Sequence, residues 1–291
     1  MMKRLGKLAA LFFAAMSLCA AAHAQVHASE PPADWAEKPV LRWTIFDVDE
    51  GDAHLLECGG EAMLVDGGPN PFREPLRIAL EARGLKEGMK AILNTHYHDD
   101  HINGIYHLFK SGFMPNEFLH PYNDWGIRND KLGTRTVNAA KRAGIPIRRV
   151  QPGDVLTLGE ATIDLYQCTK YGGTNQRSLV LKVHYGDASI LLCADISGTV
   201  QRYFAETLTP EQLKSDLIKL PHHAITPAVP AFLDAVDPIA AIATNIKDEI
   251  DSKSINQLEG RPFPTLYSGD GTVYAETDGT DWYIYQTPGQ F

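Results

Sequence analysis

Asn94-Thr95-His96-Tyr97-His98-Asp99-Asp100-His101 follows directly on the apolar stretch Ala91-Ile92-Leu93. Positions 96–101 hold three imidazoles and two carboxylates in the pattern His-x-His-x-Asp-His. His96 and His98 are two apart, so an extended backbone turns both to one side, where they can grip one ion. Asp100 and His101, past the bend, can turn toward a second ion. Imidazole with carboxylate suits zinc, manganese or iron, whereas all-oxygen calcium sites do not use histidine. The spacing and the buried strand before it mark a metal site rather than a polar loop rich in histidine.

Two later segments end strands on ligand-type residues. Ser189-Ile190-Leu191-Leu192-Cys193-Ala194-Asp195 terminates on a carboxylate, and Asp216-Leu217-Ile218-Lys219-Leu220-Pro221-His222-His223 on two histidines. A carboxylate at a strand end is usually a surface cap. A two-ion site needs a bridging carboxylate from elsewhere in the chain, and Asp195 is the candidate.

Around these points the pattern alternates strands and helices. Val40–Val48, Ala53–Cys58 and Glu61–Val65 read as strands, Pro71–Arg83 as a helix, Lys90–Asn94 as a strand and Ile102–Lys110 as a helix. Lys131–Ala143 reads as a polar helix. Asp154–Leu158, Ala161–Gln167, Ser178–Tyr185 and Ala188–Cys193 read as strands, Thr199–Thr207 as a helix, Asp216–Leu220 as a strand, Val229–Val236 as a helix and Ile239–Thr244 as a strand. Thr272–Glu276 and Trp282–Gln286 make a closing hairpin. Two strand-rich halves with helices between and after them imply sheet packed on sheet, helices outside.

With those elements in place, the chain resembles the metallo-β-lactamase fold superfamily. The residues are Thr95-His96-x-His98-x-Asp100-His101, then Asp195, then His222-His223. Within it, the chain is most similar to the hydrolase domain at the C-terminal end of the DNA-uptake protein ComEC and its stand-alone relatives. Phe46-Asp47-Val48-x-x-Gly51-Asp52-Ala53, Leu64-Val65-Asp66-Gly67-Gly68, Asn175-x-x-Ser178-Leu179-Val180-Leu181 and Ile218-Lys219-Leu220-Pro221-His222-His223 carry that narrower likeness. The resemblance implies an α/β fold, a single-domain αββα four-layer sandwich over residues 40–291, with metals at one edge of the sheets. It implies two divalent ions, Zn²⁺ or Mn²⁺: His96 and His98 on the first, Asp100 and His101 on the second, and Asp195 bridging. His223 would be the remaining ligand with His222 as the fallback, and Asp66 would orient a ligand loop by hydrogen bonds. Asp100 and Asp195 would be the catalytic carboxylates, Asp100 steering the nucleophile.

The chain departs from the pattern in three places. Superfamily β-lactamases supply a third histidine to the first ion, where this chain has Tyr171-Gly172-Gly173-Thr174-Asn175-Gln176. Water or Asn175 would complete that site. Asp49-Glu50 replaces the subgroup's Gly-Gln, and Ala224-Ile225 replaces its Gly-Ser, adding negative charge and removing a flexible turn. His54, His107, His120 and His184 have no ligand partner nearby in sequence, and His54 and His184, inside strand patterns, read as structural or surface residues. His120-Pro121-Tyr122-x-x-Trp125 reads as a loop, either packed on the surface or lining a substrate pocket.

Lys3, Arg4 and Lys7 precede an apolar run from Leu8 to Ala22, and Ala22-His23-Ala24 is a small-x-small cleavage site. The run is short of the about twenty residues a membrane span takes. Residues 1–24 are therefore expected to be a signal peptide and 25–39 a polar linker, the mature protein being periplasmic or secreted and free of the membrane. Losing three cationic residues and no acidic one takes the net charge from −9 to −12. Such a surface disfavours non-specific nucleic-acid binding and leaves a small-molecule or nucleotide-type substrate. Cys58, Cys168 and Cys193 remain after cleavage, either as buried small hydrophobes or as one disulfide with one free thiol. Three functions fit the residues: a phosphodiester hydrolase, a carbonyl hydrolase of lactone or β-lactam type, and a non-catalytic protein stabilised by its metal.

Overall fold

A computed structural model describes residues 24–121 and 131–288. The strands in chain order are β1 (Val26–His27), β2 (Leu41–Ile45), β3 (His54–Cys58), β4 (Glu61–Val65), β5 (Ala91–Leu93), β6 (Phe118–Pro121), β7 (Ile147–Val150) and β8 (Val155–Leu158). There follow β9 (Ala161–Gln167), β10 (Leu179–Tyr185), β11 (Ala188–Leu192), β12 (Leu217–Lys219), β13 (Ala240–Ala243), β14 (Thr265–Tyr267), β15 (Thr272–Thr277) and β16 (Trp282–Thr287). One sheet runs β1-β16-β15-β2-β3-β4-β5-β6-β7 and the other β14-β13-β12-β11-β10-β9-β8.

The period-2 alternation sorts each strand's side chains between the two faces. From β2, Leu41, Trp43 and Ile45 face the other sheet and meet Leu181, Ile190 and Leu192, with Trp282 in the same core. The opposite faces carry a second apolar set, so each sheet needs cover on both sides. Leu64 and Ile92 are covered by α1 (Arg73–Ala82), α2 (Asp99–Lys110) and α3 (Lys131–Ala143) through Leu76, Ile105 and Val137. Leu191 and Ile218 are covered by α4 (Gly198–Thr207), α6 (Pro230–Val236) and α7 (Ser252–Glu259) through Phe204, Phe232 and Leu258. A short α5 (Pro210–Leu213) lies between α4 and β12. The result is the expected α/β, αββα four-layer arrangement.

Three local expectations need correction. The helix after the histidine run begins at Asp99, three residues before Ile102, with extended His98 as its N-cap. Acidic Asp99 and Asp100 in the first turn favour that start by complementing the helix dipole. His120 and Pro121 lie in buried β6, not a loop, because both faces of this sheet are covered; Tyr122 and Trp125 lie outside the described residues. The stretch read as a polar linker carries β1, paired in parallel with β16, and a turn that buries Trp35. The residues read as a signal peptide lie outside the described residues, apart from Ala24. Among the described residues no helix is long and apolar enough to cross a membrane. Cys58, Cys168 and Cys193 are all buried and free.

Glycine sets the seat of α2. The Gly67 amide donates to His101 O at 2.7 Å, and the Gly104 amide donates to Gly68 O at 3.1 Å. A β-carbon on Gly104 would overlap the Gly67 carbonyl oxygen, a backbone atom that cannot step aside. Gly104→Ala is therefore expected to destabilise the fold by about 3 kcal/mol or more in urea unfolding. A variant within about 0.5 kcal/mol of wild type would show that α2 can dock without this contact.

Candidate metal centre

The ligand-type residues converge because strands from both sheets end at the same edge. β4 and β5 run parallel in the first sheet, and β11, β12 and β13 run parallel in the second. Asp66 follows β4, His96 and His98 follow β5, and Asp100 and His101 occupy the first turn of α2. Asp195 follows β11, His222 and His223 follow β12, and Thr244 follows β13.

Ligand atoms of Asp52, His101, Asp195 and His223 lie within 4.8 Å of one another, and Asp100 approaches the two histidines. His101 Nε2 lies 3.3 Å from His223 Nε2 and 3.3 Å from Asp195 Oδ1. His223 Nε2 lies 3.2 Å from Asp195 Oδ1, and Asp100 Oδ2 lies 3.0 Å from His223 Nε2 and 3.5 Å from His101 Nε2. Tetrahedral ligands about 2.05 Å from zinc stand about 3.3 Å from each other. The second group shares the bridging candidate: His96 Nε2 lies 3.5 Å from Asp195 Oδ2, with His98 alongside His96. His222 Nε2 lies 3.8 Å from Asp195 Oδ2 and 3.3 Å from Asn175 Nδ2. His223 thus sits in the first of these groups and His222 beside the second, at the more exposed rim.

Orphaned atoms test whether a cation fits here. Both Asp195 oxygens, His96 Nε2 and Asn175 Oδ1 are buried without a hydrogen-bond partner. Leaving such atoms unpaired in the interior is costly, and a bound cation removes that cost. The cluster is able to bind metal ions.

The outer contacts fix which nitrogen faces the cluster. His101 Nδ1 pairs with Asp66 Oδ2 at 2.8 Å. His223 Nδ1 lies 2.9 Å from Thr244 Oγ1, which itself donates to Asp52 Oδ1 at 2.7 Å. His96 Nδ1 lies 3.1 Å from Thr95 Oγ1, which donates to Asp66 Oδ2 at 2.6 Å. With its hydroxyl hydrogen spent on a carboxylate, each threonine accepts from the imidazole, leaving Nε2 for a metal. Asp66 also accepts from the Thr95 amide and the Asn94 side chain, as expected of a residue orienting the ligand loop. Asp52 lies in the first group by distance, but it faces Nδ1 of His101 and His223 at 3.8 and 3.4 Å and pairs with Lys219, so it stands behind the ligands.

Burial disfavours charge on His223, but Asp195 and Asp52 outweigh it and raise its pKa to about 10. His101 is likewise raised well above the ordinary value against the cost of burial, chiefly by Asp195 and Asp66. His96 goes the other way, to about 4, through burial and the neighbouring His101 charge. Asp195 is held well below the usual carboxylate range: burial opposes the ionised form, and His223 and His101 more than compensate.

Backbone strain concentrates here too. Among the described residues, the non-glycine positions with φ between +44° and +59° are Asp49, Asp66, Ala194, His222, His223, Ala224 and Asp237. All except Asp237 lie on loops at this edge, as expected where a functional arrangement overrides local preference.

The other histidines stand apart. His107 pairs with Glu74, His184 with Asp164, and His120 meets the Tyr97 hydroxyl. His54 is buried, 3.5 Å from Asp52. Sequence reasoning assigned no role to Lys219, Thr244 or Thr95. The signal for Lys219 was a lone charge inside the apolar stretch Leu217–Leu220.

The sequence profile of the metallo-β-lactamase superfamily matches residues 46–270. The chain belongs to this superfamily. Two solved structures with TM-scores above 0.5, YhfI and CmlA, share the fold. The metallo-β-lactamase fold protein YhfI from Bacillus subtilis aligns at a TM-score of 0.51 and 12% identity, over 79% of this chain and 96% of that one. CmlA, a diiron β-hydroxylase from Streptomyces venezuelae, aligns at 0.51 and 15%, over 82% of this chain and 54% of that one. A diphosphatase from the PhnP family aligns at 0.48 and 14%, over 81% of this chain and 98% of that one. No curated protein sequence matches the chain.

Proposed function

We propose that this superfamily member is an exported, binuclear metallohydrolase that cleaves phosphodiester bonds in a nucleotide-type or other small substrate. The observation that carries the reading is Asp195, whose Oδ1 belongs to one donor group and whose Oδ2 belongs to the other. His101, His223 and Asp100 would hold one ion with Asp195, and His96 and His98 the other. Two divalent ions held this way supply Lewis acidity and bring the pKa of a water toward neutrality. Asp100, whose side chain is 22% exposed, would orient a nucleophile. His222, 36% exposed at the rim and with its pKa lowered by burial, would stand there as a neutral ring able to accept a proton. The ComEC-type motifs support a phosphodiester over a carbonyl substrate, and so does Asn175 in the place of the third histidine.

The test is turnover of bis(p-nitrophenyl) phosphate by protein loaded with Mn²⁺ or Zn²⁺, beside lactone and β-lactam reporters. Metal-dependent phosphodiester cleavage is the expected result. Reporter hydrolysis at carbonyl carbon with the phosphodiester inert would favour the second reading, a lactone or β-lactam hydrolase motivated by export and the acidic surface. Metal-loaded protein that turns over neither class yet unfolds when stripped would point to a binding protein.

Export rests on the basic and apolar N-terminal residues. The protein recovered from the periplasm is expected to begin at Gln25. Recovery with Met1 intact would sink that part of the proposal.

A further inference from the structure

Lys219 ends β12 fully buried, and the roles assigned so far make no use of its charge. Its ammonium lies 2.7 Å from Asp52 Oδ2 and 3.6 Å from Asp195 Oδ1, between two buried carboxylates that would otherwise repel each other. It also donates to the Ala194 carbonyl oxygen at 3.0 Å, which accepts the His222 amide at 2.8 Å as well. Ala194 has φ +44°, a left-handed conformation that disfavours any residue with a β-carbon. That turn redirects the chain after β11 and delivers Asp195 to the donor groups. One side chain therefore touches the strained turn, the carboxylate it delivers and the carboxylate behind the ligands.

We infer that Lys219 is a positioning residue: its ammonium clamps the Ala194 turn and so aims the two oxygens of Asp195 into separate donor groups. This rests on the binuclear reading above. A neutral donor could hold the Ala194 carbonyl but would leave Asp52 and Asp195 with only the neighbouring histidines to offset their charges. An ammonium serves both needs.

The experiment measures Mn²⁺ stoichiometry by equilibrium dialysis and the exchange-coupled electron paramagnetic resonance signal of a bridged Mn²⁺ pair. It compares wild type with Lys219→Met, folding being followed by circular dichroism. Asp52→Asn/Lys219→Met is the second variant, because it leaves no buried charge unpaired and keeps an oxygen for Thr244. Wild type is expected to take up two ions with a coupled signal. The folded variant is expected to lose the coupled signal and to bind at least one ion tenfold or more weakly. A folded variant with two ions and the wild-type coupled signal overturns the clamp alone. If neither variant folds, Lys219 holds the fold rather than aiming Asp195, and the inference fails. Wild type with fewer than two ions overturns the binuclear reading itself.

Discussion

Asp195→Ala is expected to lower metal-dependent cleavage of bis(p-nitrophenyl) phosphate by about 10³-fold or more, some 4 kcal/mol of transition-state stabilisation. The size follows from what the side chain does. It supplies a donor to each of two groups and is fully buried, with the His101 and His223 rings gathered on Oδ1 and His96 on Oδ2. The neighbouring acids are already engaged: Asp100 with His101 and His223, Asp52 with Lys219 and Thr244, and Asp66 with Thr95, Asn94 and His101. Metal content measured on the same samples separates loss of the ions from loss of chemistry, and the expected variant is folded and depleted of at least one ion. Turnover within tenfold of wild type would remove Asp195 from the centre of the site.

The second large effect is a competition between protons and metal. In the metal-free protein His223 has its pKa raised to about 10 and His101 is raised well above 6.5. At neutral pH each therefore carries a proton on the nitrogen a metal needs. Binding must expel both, so affinity rises with pH, by about 100-fold per unit if two protons leave together. Stability of the metal-free fold follows the opposite sign. Histidines with raised pKa stabilise the fold fully below about 6.5, the unfolded value, and that contribution is lost as pH climbs toward 10. His96, lowered to about 4, contributes stability that is lost as pH falls from about 6.5 through 4. Metal-free protein is thus expected to be most stable near pH 6.5. Titrating Mn²⁺ or Zn²⁺ into protein at pH 6, 7 and 8 checks the competition. An affinity that stays level across that range would show that the two histidines enter the metal-free state as neutral rings.

The sequence was most legible where one segment carries several cues at once. His96 to His101 could be read because ligand spacing, a preceding apolar strand and a bend coincide within a few residues. Long strands such as Ala161–Gln167 stood out by alternation. Phe118–Pro121 and Ile147–Val150 did not, because four residues give too little pattern and Pro121 argued against a strand. The helix Ser252–Glu259 has a polar sequence held to the core by Ile255 and Leu258, and two apolar residues are too few to establish a period. At the site, the directly convergent groups could be named from the chain alone, whereas the supports could not. Asp52 and Thr244 are 192 positions apart and meet through a hydroxyl hydrogen bond, a contact with no local signature. The left-handed run His222–Ala224 was hidden for the related reason that Ala224 stands where a glycine would have announced the turn.

The donor cluster draws His101 and Asp100 from one sheet's half of the molecule and Asp195 and His223 from the other's. A metal there works as a rivet, and its affinity is linked to how firmly the two halves close. Any change that loosens the seam between the sheets then weakens metal binding without touching a ligand. A distant core truncation such as Ile190→Ala should present in a functional screen as a metal-requiring mutant, cured by supplementing the medium. Residues far from the chemistry would thereby be under selection for cofactor retention, and scarcity of the ion would decide how many of them can vary.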